Sequence, residues 1–515
     1  MEATFSQNKH LNFETCAEVL SVYRQQGQKI VLCNGVFDLL HPGHIVHLQA
    51  AKAMGDILVI SVTASTFVNR GPGRPIFSDE LRQNSLAALG CVDYVVITPK
   101  VTALEIIEKI RPHIYCKGDE YADPEKDVTG NIKKETDLVE KHGGEVRYTS
   151  EITFSSTRLI NNHLNVLPDE LKQYIKDFSD RHSLEEVIAA VEEMRSLKVL
   201  VLGEIIIDEF VHCHVQGLTT KGRVPSTRFL KAEQHLGGVF AVARHLANFA
   251  GSVTLASAIG NEKNVQELIE PYENSLDLNL QKIEGYATIN KCRYIESKEN
   301  GEQSQLFAIN RIDPAEILVT ARQNLRDFLS QNMESYDLVL LVDYGHSWID
   351  PMLREFICQN APFLALNCQT NSANYGYNLI TQYPHADTFC LDERELRLAY
   401  SDPSGDCQIL LKRLHEHLGG KQGWLTLSAS GSWGIQFNNK ILDKTPAMTQ
   451  KIKDTTGAGD AFFALASMSA KLGFPLEFGS FFGNIAAALA ANVLGNEKPV
   501  AKARLLKYAT TLLKF

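Results

Sequence analysis

Two histidines lie three residues apart in the segment Asn34-Gly35-Val36-Phe37-Asp38-Leu39-Leu40-His41-Pro42-Gly43-His44. The apolar run before it is typical of a buried strand, and the residues after it have the apolar spacing of a helix. His41 and His44 are therefore predicted where a strand ends and a helix begins. Backbone N–H groups, the helix dipole and imidazole donors all favour an anion there, which predicts a phosphate site. The alternative is a pair of loop histidines without a ligand.

A second segment of this kind is Asp454-Thr455-Thr456-Gly457-Ala458-Gly459-Asp460-Ala461-Phe462-Phe463. Gly457 and Gly459 leave the backbone N–H groups of a helix start open to an anion. Asp460 then lies within reach of the group that attacks the anion. A carboxylate in that place orients or deprotonates a hydroxyl in phosphoryl transfer. A plain helix N-terminus is the alternative.

The elements that must position the histidines form an alternating series. Strands and helices alternate from Lys29 to Tyr148, which predicts a parallel sheet with crossover helices. Ligands of such sheets bind beyond the carboxyl ends of the strands. Further polar candidates follow at those ends or on the next helix: Lys52, Arg82, Lys117, Ser156 and Thr157. Each has a plain alternative as a solvated charge or a helix cap.

The histidine segment resembles the signature of the nucleotidyltransferase superfamily that includes the cytidylyltransferases, and the resemblance covers residues 28–162. It implies a Rossmann-like domain that joins a nucleotide, from ATP or CTP, to a phosphorylated small molecule and releases pyrophosphate. The resemblance implies nucleotide or phosphate contacts at Gly35, Phe37, His41, His44, Lys52, Arg82, Lys117, Ser156 and Thr157.

The segment 454–463 resembles the ribokinase-like (PfkB) carbohydrate kinase signature, and that resemblance covers about residues 196–512. It implies a ribokinase-like α/β domain that uses ATP and Mg²⁺, with Asp460 as the base. The implied ATP contacts are Ser428, Gly431, Gly457, Ala458, Gly459 and Asn484, and Glu393 is the implied magnesium residue. The implied sugar-pocket residues are Asp208, Gly237, Gly238, Lys291, Arg293 and Asp343.

Three positions depart from the kinase pattern. Ala241 replaces the asparagine of Gly-Gly-x-x-Asn, and Phe240 beside it adds bulk. Cys390 replaces the asparagine of Asn-x-x-Glu. His346 stands where the heptose kinases tend to have lysine. The phosphoryl-transfer residues are thus retained, while the substrate-facing residues differ.

Composition bounds the class of protein. The chain has 515 residues, 44% hydrophobic and 22% charged, with a net charge of −10, which is typical of a globular protein of two or three domains. The acidic balance argues against nucleic acid as a partner. No apolar run is long enough for a membrane span, and the N-terminus has no signal-peptide pattern. The ten scattered cysteines, without a Cys-x-x-Cys pair, favour reduced thiols in a cytoplasmic protein over disulfides or zinc.

The sequence therefore predicts an α/β chain with a Rossmann-like nucleotidyltransferase domain at 1–165, a helical connector at 166–197 and a ribokinase-like kinase domain at 198–515. Kinase and transferase together predict an enzyme that makes a nucleotide-activated, ADP-heptose-like sugar for a cell-surface glycan. The expected partners are a sugar or sugar phosphate and a nucleoside triphosphate, and a homodimer is expected from the resemblance. Two alternatives stay open: a CTP-dependent transferase for a polyol phosphate, and a kinase-like half that serves only as a binding module.

Overall fold

The computed structural model describes residues 9–68, 74–119, 131–149, 167–222, 224–297, 303–313, 315–371, 374–436, 442–449, 452, 454–493 and 496–513. The chain forms two compact units. The first contains Met1–Asp180 and Leu506–Phe515, and the second contains Arg181–Leu505.

The first unit is built on a six-stranded sheet in which every neighbouring pair is parallel. The strand order is β1-β4-β3-β2-β5-β6. Strands β2 and β3 lie at the centre and are apolar almost throughout, as expected for strands covered on both faces. The strands are β1 His10–Leu11, β2 Ile30–Gly35, β3 Ile57–Thr63, β4 Tyr94–Thr98, β5 Ile114–Gly118 and β6 Glu145–Thr149.

Helices cover both faces of this sheet. One core contains Leu48 and Leu86, and the other contains Leu20, Ile107 and Val139. The helices are α1 Cys16–Gln25, α2 Pro42–Lys52, α3 Asp79–Ala87, α4 Leu104–Ile110, α5 Asn131–Lys141 and α6 Asp169–Ser179.

The second unit is built on a nine-stranded sheet. Its strands are β7 Lys198–Gly203, β10 Ser252–Ile259, β11 Asp277–Lys282, β14 Leu338–Asp343, β15 Leu364–Cys368, β16 Thr388–Asp392, β17 Gln422–Thr426, β18 Ser432–Gln436 and β19 Leu442–Thr445. The order is β11-β10-β7-β14-β15-β16-β17-β18-β19. All pairs from β11 to β17 are parallel, and β18 and β19 are antiparallel.

A separate four-stranded sheet belongs to the same unit. Its strands are β8 Ile205–Leu218, β9 Pro225–Gly238, β12 Ile289–Ser297 and β13 Gln303–Arg311. They lie in the order β13-β12-β8-β9, and β8 follows β7 after a single residue, Glu204. The chain thus passes directly from the large sheet into the small one.

The helices of the second unit are α7 Leu184–Glu193, α8 Val239–Leu246, α9 Lys263–Ile269, α10 Val319–Asn332, α11 Pro351–Asn360, α12 Glu393–Ala399, α13 Cys407–Leu418, α14 Ala458–Lys471 and α15 Leu476–Ala490, and α16 Lys502–Leu513 ends the described chain. Helices α14 and α15 pack on each other and are buried nearly all round. Among the described helices, none has the length and apolar character that crossing a bilayer requires. The predicted α/β fold class is confirmed.

Candidate active sites

The His41 side chain begins helix α2. His41 is the N-cap, with an extended backbone, and its Nδ1 accepts a hydrogen bond of 3.4 Å from the His44 backbone N–H. Since Nδ1 is the acceptor, we assign the ring proton to Nε2, which can donate to an anion. Burial lowers the pKa of His41, so its imidazole is neutral at pH 7.

His44 stacks on His41 at the same helix end. The centroids of the two imidazole rings are 3.9 Å apart, with an angle of 21° between the ring planes. The centroid of the Phe37 ring lies 5.3 Å from that of the His44 ring. Phe37 has a φ of 49°, and Gly35 ends β2 two residues before it. The structure therefore brings Gly35, Phe37, His41 and His44 together at the carboxyl end of the central strand.

A buried ion pair holds the loop before His41. The Asp38 carboxylate accepts hydrogen bonds from the Ile76 and Phe77 N–H groups at 2.7 and 3.2 Å. It also pairs with the buried Arg74 guanidinium at 3.1 Å. No sequence pattern predicts this pair, because its partners are far apart in the chain and only the fold joins them.

Arg82 lies in a place that does not fit its predicted phosphate contact. Its side chain is buried, and five hydrogen bonds occupy its five N–H donors. The acceptors are all protein atoms: Phe77 O, Val36 O, Thr63 O, Ser65 Oγ and Asp79 Oδ1. Arg82 thus ties the ends of β2 and β3 to α3 and has no N–H left to offer a ligand.

Lys52 lies at the far end of α2 from the histidines. Its Nζ donates to the Asp56 carbonyl and pairs with Asp93 Oδ2, both at 2.5 Å, where β3 and β4 begin. Eight residues of helix separate Lys52 from His44, which is about 12 Å along the helix axis. The structure therefore places Lys52 at the amino edge of the sheet, away from the predicted triphosphate.

Lys117 ends β5 and pairs with Glu135. The distance from Lys117 Nζ to Glu135 Oε2 is 3.2 Å, and the Tyr115 hydroxyl donates to the same oxygen at 2.9 Å. Lys117 remains at the carboxyl edge of the sheet but already has a carboxylate partner. The predicted hydroxyl contacts, Ser156 and Thr157, lie outside the described residues.

Asp460 is the centre of the site in the second unit. Helix α14 begins at Ala458 with Gly457 as N-cap at a φ of 78°, and Asp460 lies in its first turn, 9% exposed. Its Oδ1 accepts from Gln369 Nε2 at 3.0 Å and from the Tyr344 hydroxyl at 3.3 Å. Burial raises the pKa of Asp460 to about 6, and the charge of Asp208 adds to that effect.

The backbone beside Asp460 is partly open. The Ala458 N–H donates to Thr455 O at 3.2 Å and is already used within the turn. A side chain at Gly459 would meet no heavy atom within 4 Å, whereas one at Gly457 would lie 1.9 Å from Asn496 Oδ1. Gly459 therefore presents the approachable backbone, and Gly457 shapes the turn.

The predicted sugar residues on the small sheet lie together. Asp208 of β8 is in register with Lys291 of β12, and Asp208 Oδ1 forms an ion pair with Arg293 Nη1 at 2.6 Å. Gly237 lies against the same carboxylate, since a Cβ there would be 2.0 Å from Asp208 Oδ2. Gly238 follows as the N-cap of α8.

Glu204 is a residue that the sequence analysis missed. Its carboxylate accepts from the N–H groups of Tyr344 and His346 at 3.0 and 2.9 Å, which fixes the loop after β14. Burial, and then the charge of Asp343, raises the pKa of Glu204 to about 7. Only the sheet order, with β7 beside β14, brings this residue to the loop.

The Asp343 carboxylate already accepts hydrogen bonds within the protein. Its two oxygens accept from the Gly345 N–H at 2.8 Å and the Tyr383 hydroxyl at 2.6 Å, and burial raises its pKa. The predicted sugar contact would therefore compete with two existing hydrogen bonds.

Glu393, the predicted magnesium residue, is half-exposed and forms an ion pair with Arg397 at 2.8 Å. Another carboxyl on this helix is that of Glu395, which accepts a hydrogen bond from the Thr370 N–H at 3.1 Å. Thr370 follows Gln369, whose side chain contacts Asp460. Burial raises the pKa of Glu395 to about 8, and nearby Asp392 adds to the effect. The carboxyl beside Asp460 is thus Glu395, two residues beyond the predicted one.

A cavity of about 750 Å³ lies between α12 and the end of β17. Glu393, Arg397, Thr426 and Ser428 are among its lining residues, so two predicted residues, Glu393 and Ser428, meet there. Gly431 closes the turn after Ser428 by donating its N–H to Ser428 O at 3.2 Å.

Asn484, an ATP contact that the resemblance implies, lies in the middle of α15. Its Nδ2 donates to Ser432 Oγ at 2.7 Å and to Ser480 O at 2.8 Å. Both N–H groups of the amide are therefore used within the protein.

Ala241 and Phe240 are buried in α8, and the Phe240 ring packs against Tyr272.

Comparison with family models defines the class of this chain. Residues 196–503 match the pfkB family of carbohydrate kinases, which is more than half of the sequence, so the chain belongs to that family. Residues 32–162 match the cytidylyltransferase-like family. Both matched families are transferase families, one of kinases and one of nucleotidyltransferases.

Individual relatives resemble a smaller part. The bifunctional protein HldE of Syntrophotalea carbinolica is 42% identical over 146 residues, 28% of this chain and 28% of that protein. HldE of Trichlorobacter lovleyi is 36% identical over 176 residues, 34% of this chain and 33% of that protein. The chain thus spans about a third of the length of the curated relatives that it matches.

Solved structures are similar to part of the chain at low sequence identity. Ribokinase from Thermotoga maritima is 18% identical, with a TM-score of 0.46 over 61% of this chain and 99% of that one. Phosphofructokinase-2 from Escherichia coli is 15% identical, with a TM-score of 0.48 over 61% and 99%.

Proposed function

We propose that this chain is a bifunctional enzyme that phosphorylates a sugar and joins a nucleotide to a sugar phosphate. The product would be a nucleotide-activated sugar of the ADP-heptose kind, used for a cell-surface glycan. The two family matches and the relatives named bifunctional protein HldE support this proposal. The domain order, transferase before kinase, and the altered sugar pocket leave the identity of the sugar to experiment.

The observation that carries the kinase proposal is the position of Asp460. It is a buried carboxyl with a raised pKa, one residue after an open glycine at a helix N-terminus. Asp460 would accept the proton of the attacking sugar hydroxyl, whose oxygen bonds to the γ-phosphorus as ADP leaves. The helix N-terminus would stabilise the charge on the transferred group.

Lys291 and Asp208 lie close enough to Asp460 for their charges to act on its pKa. We propose that Asp208 accepts hydrogen bonds from sugar hydroxyls and that Lys291 and Arg293 bind an anionic part of the substrate. Glu204 would hold the loop that carries Tyr344 in contact with Asp460.

Oxygen ligands near Asp460 fit a hard divalent cation such as Mg²⁺. We propose Glu395 in place of Glu393, because Glu395 contacts the backbone of Thr370, the residue after the Gln369 that contacts Asp460. A bound magnesium ion would neutralise charge on the phosphates of ATP.

For nucleotidyl transfer we propose that His41 and His44 donate hydrogen bonds to the α-phosphate of ATP or CTP. The stacked rings at the start of α2 support this role. An oxygen of the sugar phosphate would attack the α-phosphorus in line, and pyrophosphate would leave, so no protein nucleophile is needed.

A second candidate is that the kinase half binds a ligand without catalysis. The Arg293–Asp208 ion pair favours this candidate, because the ion pair occupies a carboxylate that a sugar would need. Ala241 also favours it, because alanine offers no side-chain amide to a sugar.

The test is ATP consumption by the purified chain with a panel of sugars, alongside pyrophosphate release from ATP or CTP with sugar 1-phosphates and polyol phosphates. Asp460→Asn should abolish sugar-dependent ATP consumption, whereas Asp327→Asn, at an exposed position on α10, should not change it. Failure of every sugar to give Asp460-dependent turnover would favour the binding module. Pyrophosphate release from CTP alone, with a polyol phosphate, would favour a cytidylyltransferase.

A homodimer is proposed through the four-stranded sheet. That sheet exposes large apolar side chains, among them Leu218, Phe229, Phe307 and Ile309. Such exposure on one sheet is typical of an interaction surface. Sedimentation should show a dimer that Phe229→Asp weakens, and a monomer at all concentrations would refute it.

A further inference from the structure

A buried group of three side chains lies in the first unit, apart from the residues proposed to contact nucleotide. Cys33 is on β2, His47 on α2 and Cys116 on β5, and one ligand atom from each lies within 4.8 Å of the other two. Cys33 and Cys116 are paired in register on neighbouring parallel strands. All three side chains are at most 6% exposed.

We propose that Cys33, His47 and Cys116 bind one Zn²⁺ ion. Thiolate sulfur and imidazole nitrogen are the usual ligands of structural zinc. Two thiolates balance the charge of the ion, so the filled site would be neutral in an apolar core. With Zn–S bonds of about 2.3 Å, the two sulfur atoms of a tetrahedral zinc site lie roughly 3.8 Å apart. The sulfur atoms of Cys33 and Cys116 lie within 4.8 Å of each other, so they would have to approach by about 1 Å at most to bind the ion.

The hydrogen bond of His47 supports this assignment. His47 Nδ1 lies 2.5 Å from Thr149 Oγ1 at the end of β6. Zinc-binding histidines commonly hold their second ring nitrogen in such a bond, and Nε2 would then be the ligand.

The ion would act as a structural link. It would join β2, β5 and α2, the helix whose first turn carries His41 and His44. Among the described residues, no fourth Cys, His, Asp or Glu joins the group, so a water would complete the tetrahedron.

The test uses the full chain, purified without a polyhistidine tag. Metal analysis after Zn²⁺ addition and desalting should give one zinc per chain, and Co²⁺ added to chelator-stripped protein should give a thiolate-to-cobalt charge-transfer band. Cys33→Ala and Cys116→Ala should weaken zinc binding at least about tenfold. Cys16→Ala, which removes another buried thiol of the same unit, should bind zinc normally.

Two results would overturn the site: wild-type protein without stoichiometric zinc and without the cobalt band, or full zinc binding by Cys33→Ala. The wild-type measurement decides the question even if the variants do not fold. The three side chains would then be ordinary core residues. The inference rests on the first unit's geometry and is independent of the proposed enzyme activity.

Discussion

At the scale of residues, the neighbours of Asp460 set its chemistry. Burial disfavours its charged form, whereas the Gln369 and Tyr344 donors favour it. A pKa of about 6 leaves most of the carboxyl ionised at pH 7 and strengthens it as a base relative to an exposed aspartate.

Kinase activity should therefore depend on pH in a defined direction. Since Asp460 must be ionised to act as a base, kcat/KM should rise through a midpoint near pH 6 and be lost below it. Tyr344→Phe removes a donor that favours the charged form, so the midpoint should move to higher pH. The pH profile of sugar-dependent ATP consumption measures this. Tyr377→Phe, at an exposed tyrosine, is the control, and an unmoved midpoint in Tyr344→Phe would contradict the assignment.

Arg82→Ala should destabilise the first unit by about 3 kcal/mol, because it leaves the buried Val36 and Thr63 carbonyls without a donor. All three tryptophans lie at 348, 424 and 433 in the second unit, so hydrogen exchange is the measurement suited to the first. Amides of β2 and β3 should exchange roughly a hundredfold faster.

The control for this prediction is Arg147→Ala, whose side chain is 48% exposed and whose loss should change stability by less than about 0.5 kcal/mol. If Arg82→Ala left exchange unchanged and only raised KM for the nucleotide, Arg82 would be a phosphate ligand after all.

Residue types and order predicted where His41, His44 and Asp460 lie, because a strand followed by a helix start fixes a position at the sheet edge. The hydrogen-bond partners of the charged side chains could not be predicted in the same way. Arg82 has the same helix-start context as a phosphate ligand, yet its acceptors come from β2, β3 and the loop after β3. The choice between Glu393 and Glu395 depends on their contacts, since Glu393 pairs with Arg397 of its own helix and Glu395 contacts Thr370 after β15.

At the scale of elements, the start of α14 separates two roles of glycine. Gly457→Ala should destabilise the second unit by about 1–2 kcal/mol or more. The backbone at position 457 has a φ of 78°, and a Cβ there would clash with Asn496. Gly459→Ala should stabilise it by about 0.5–1 kcal/mol, because the residue is helical and its surroundings are open. Urea unfolding followed by tryptophan fluorescence measures both.

Kinase activity distinguishes the two variants further. If the transferred phosphate approaches the backbone at Gly459, a methyl group there should lower activity at least about tenfold in a stable protein. Full activity in Gly459→Ala would show that the anion does not pass against this residue.

Helix α2 shows what periodicity predicts and what it leaves out. The spacing of Lys52 from His44 predicts a shared face, but a helix also has length, and the two ends of α2 lie at opposite edges of the sheet. Likewise, no sequence spacing relates Cys33 to Cys116, since their register arises only from the pairing of β2 with β5.

At the scale of the whole molecule, each unit has its own sheet and its own buried core. The residues proposed for nucleotidyl transfer all belong to the first unit, and those proposed for phosphoryl transfer all belong to the second. The two reactions should therefore respond separately to substitution.

His44→Ala should lower pyrophosphate release about 10²–10³-fold, because it removes a donor to the developing charge, and should leave sugar-dependent ATP consumption unchanged. Asp460→Asn should do the reverse. Both rates are measured on each variant with the phosphate acceptor supplied directly, so neither assay depends on the other reaction. An equal mixture of the two variants should then show about half of each wild-type rate, as expected when each site acts within its own chain. Loss of both reactions in either single variant would mean that the two sites form one catalytic unit.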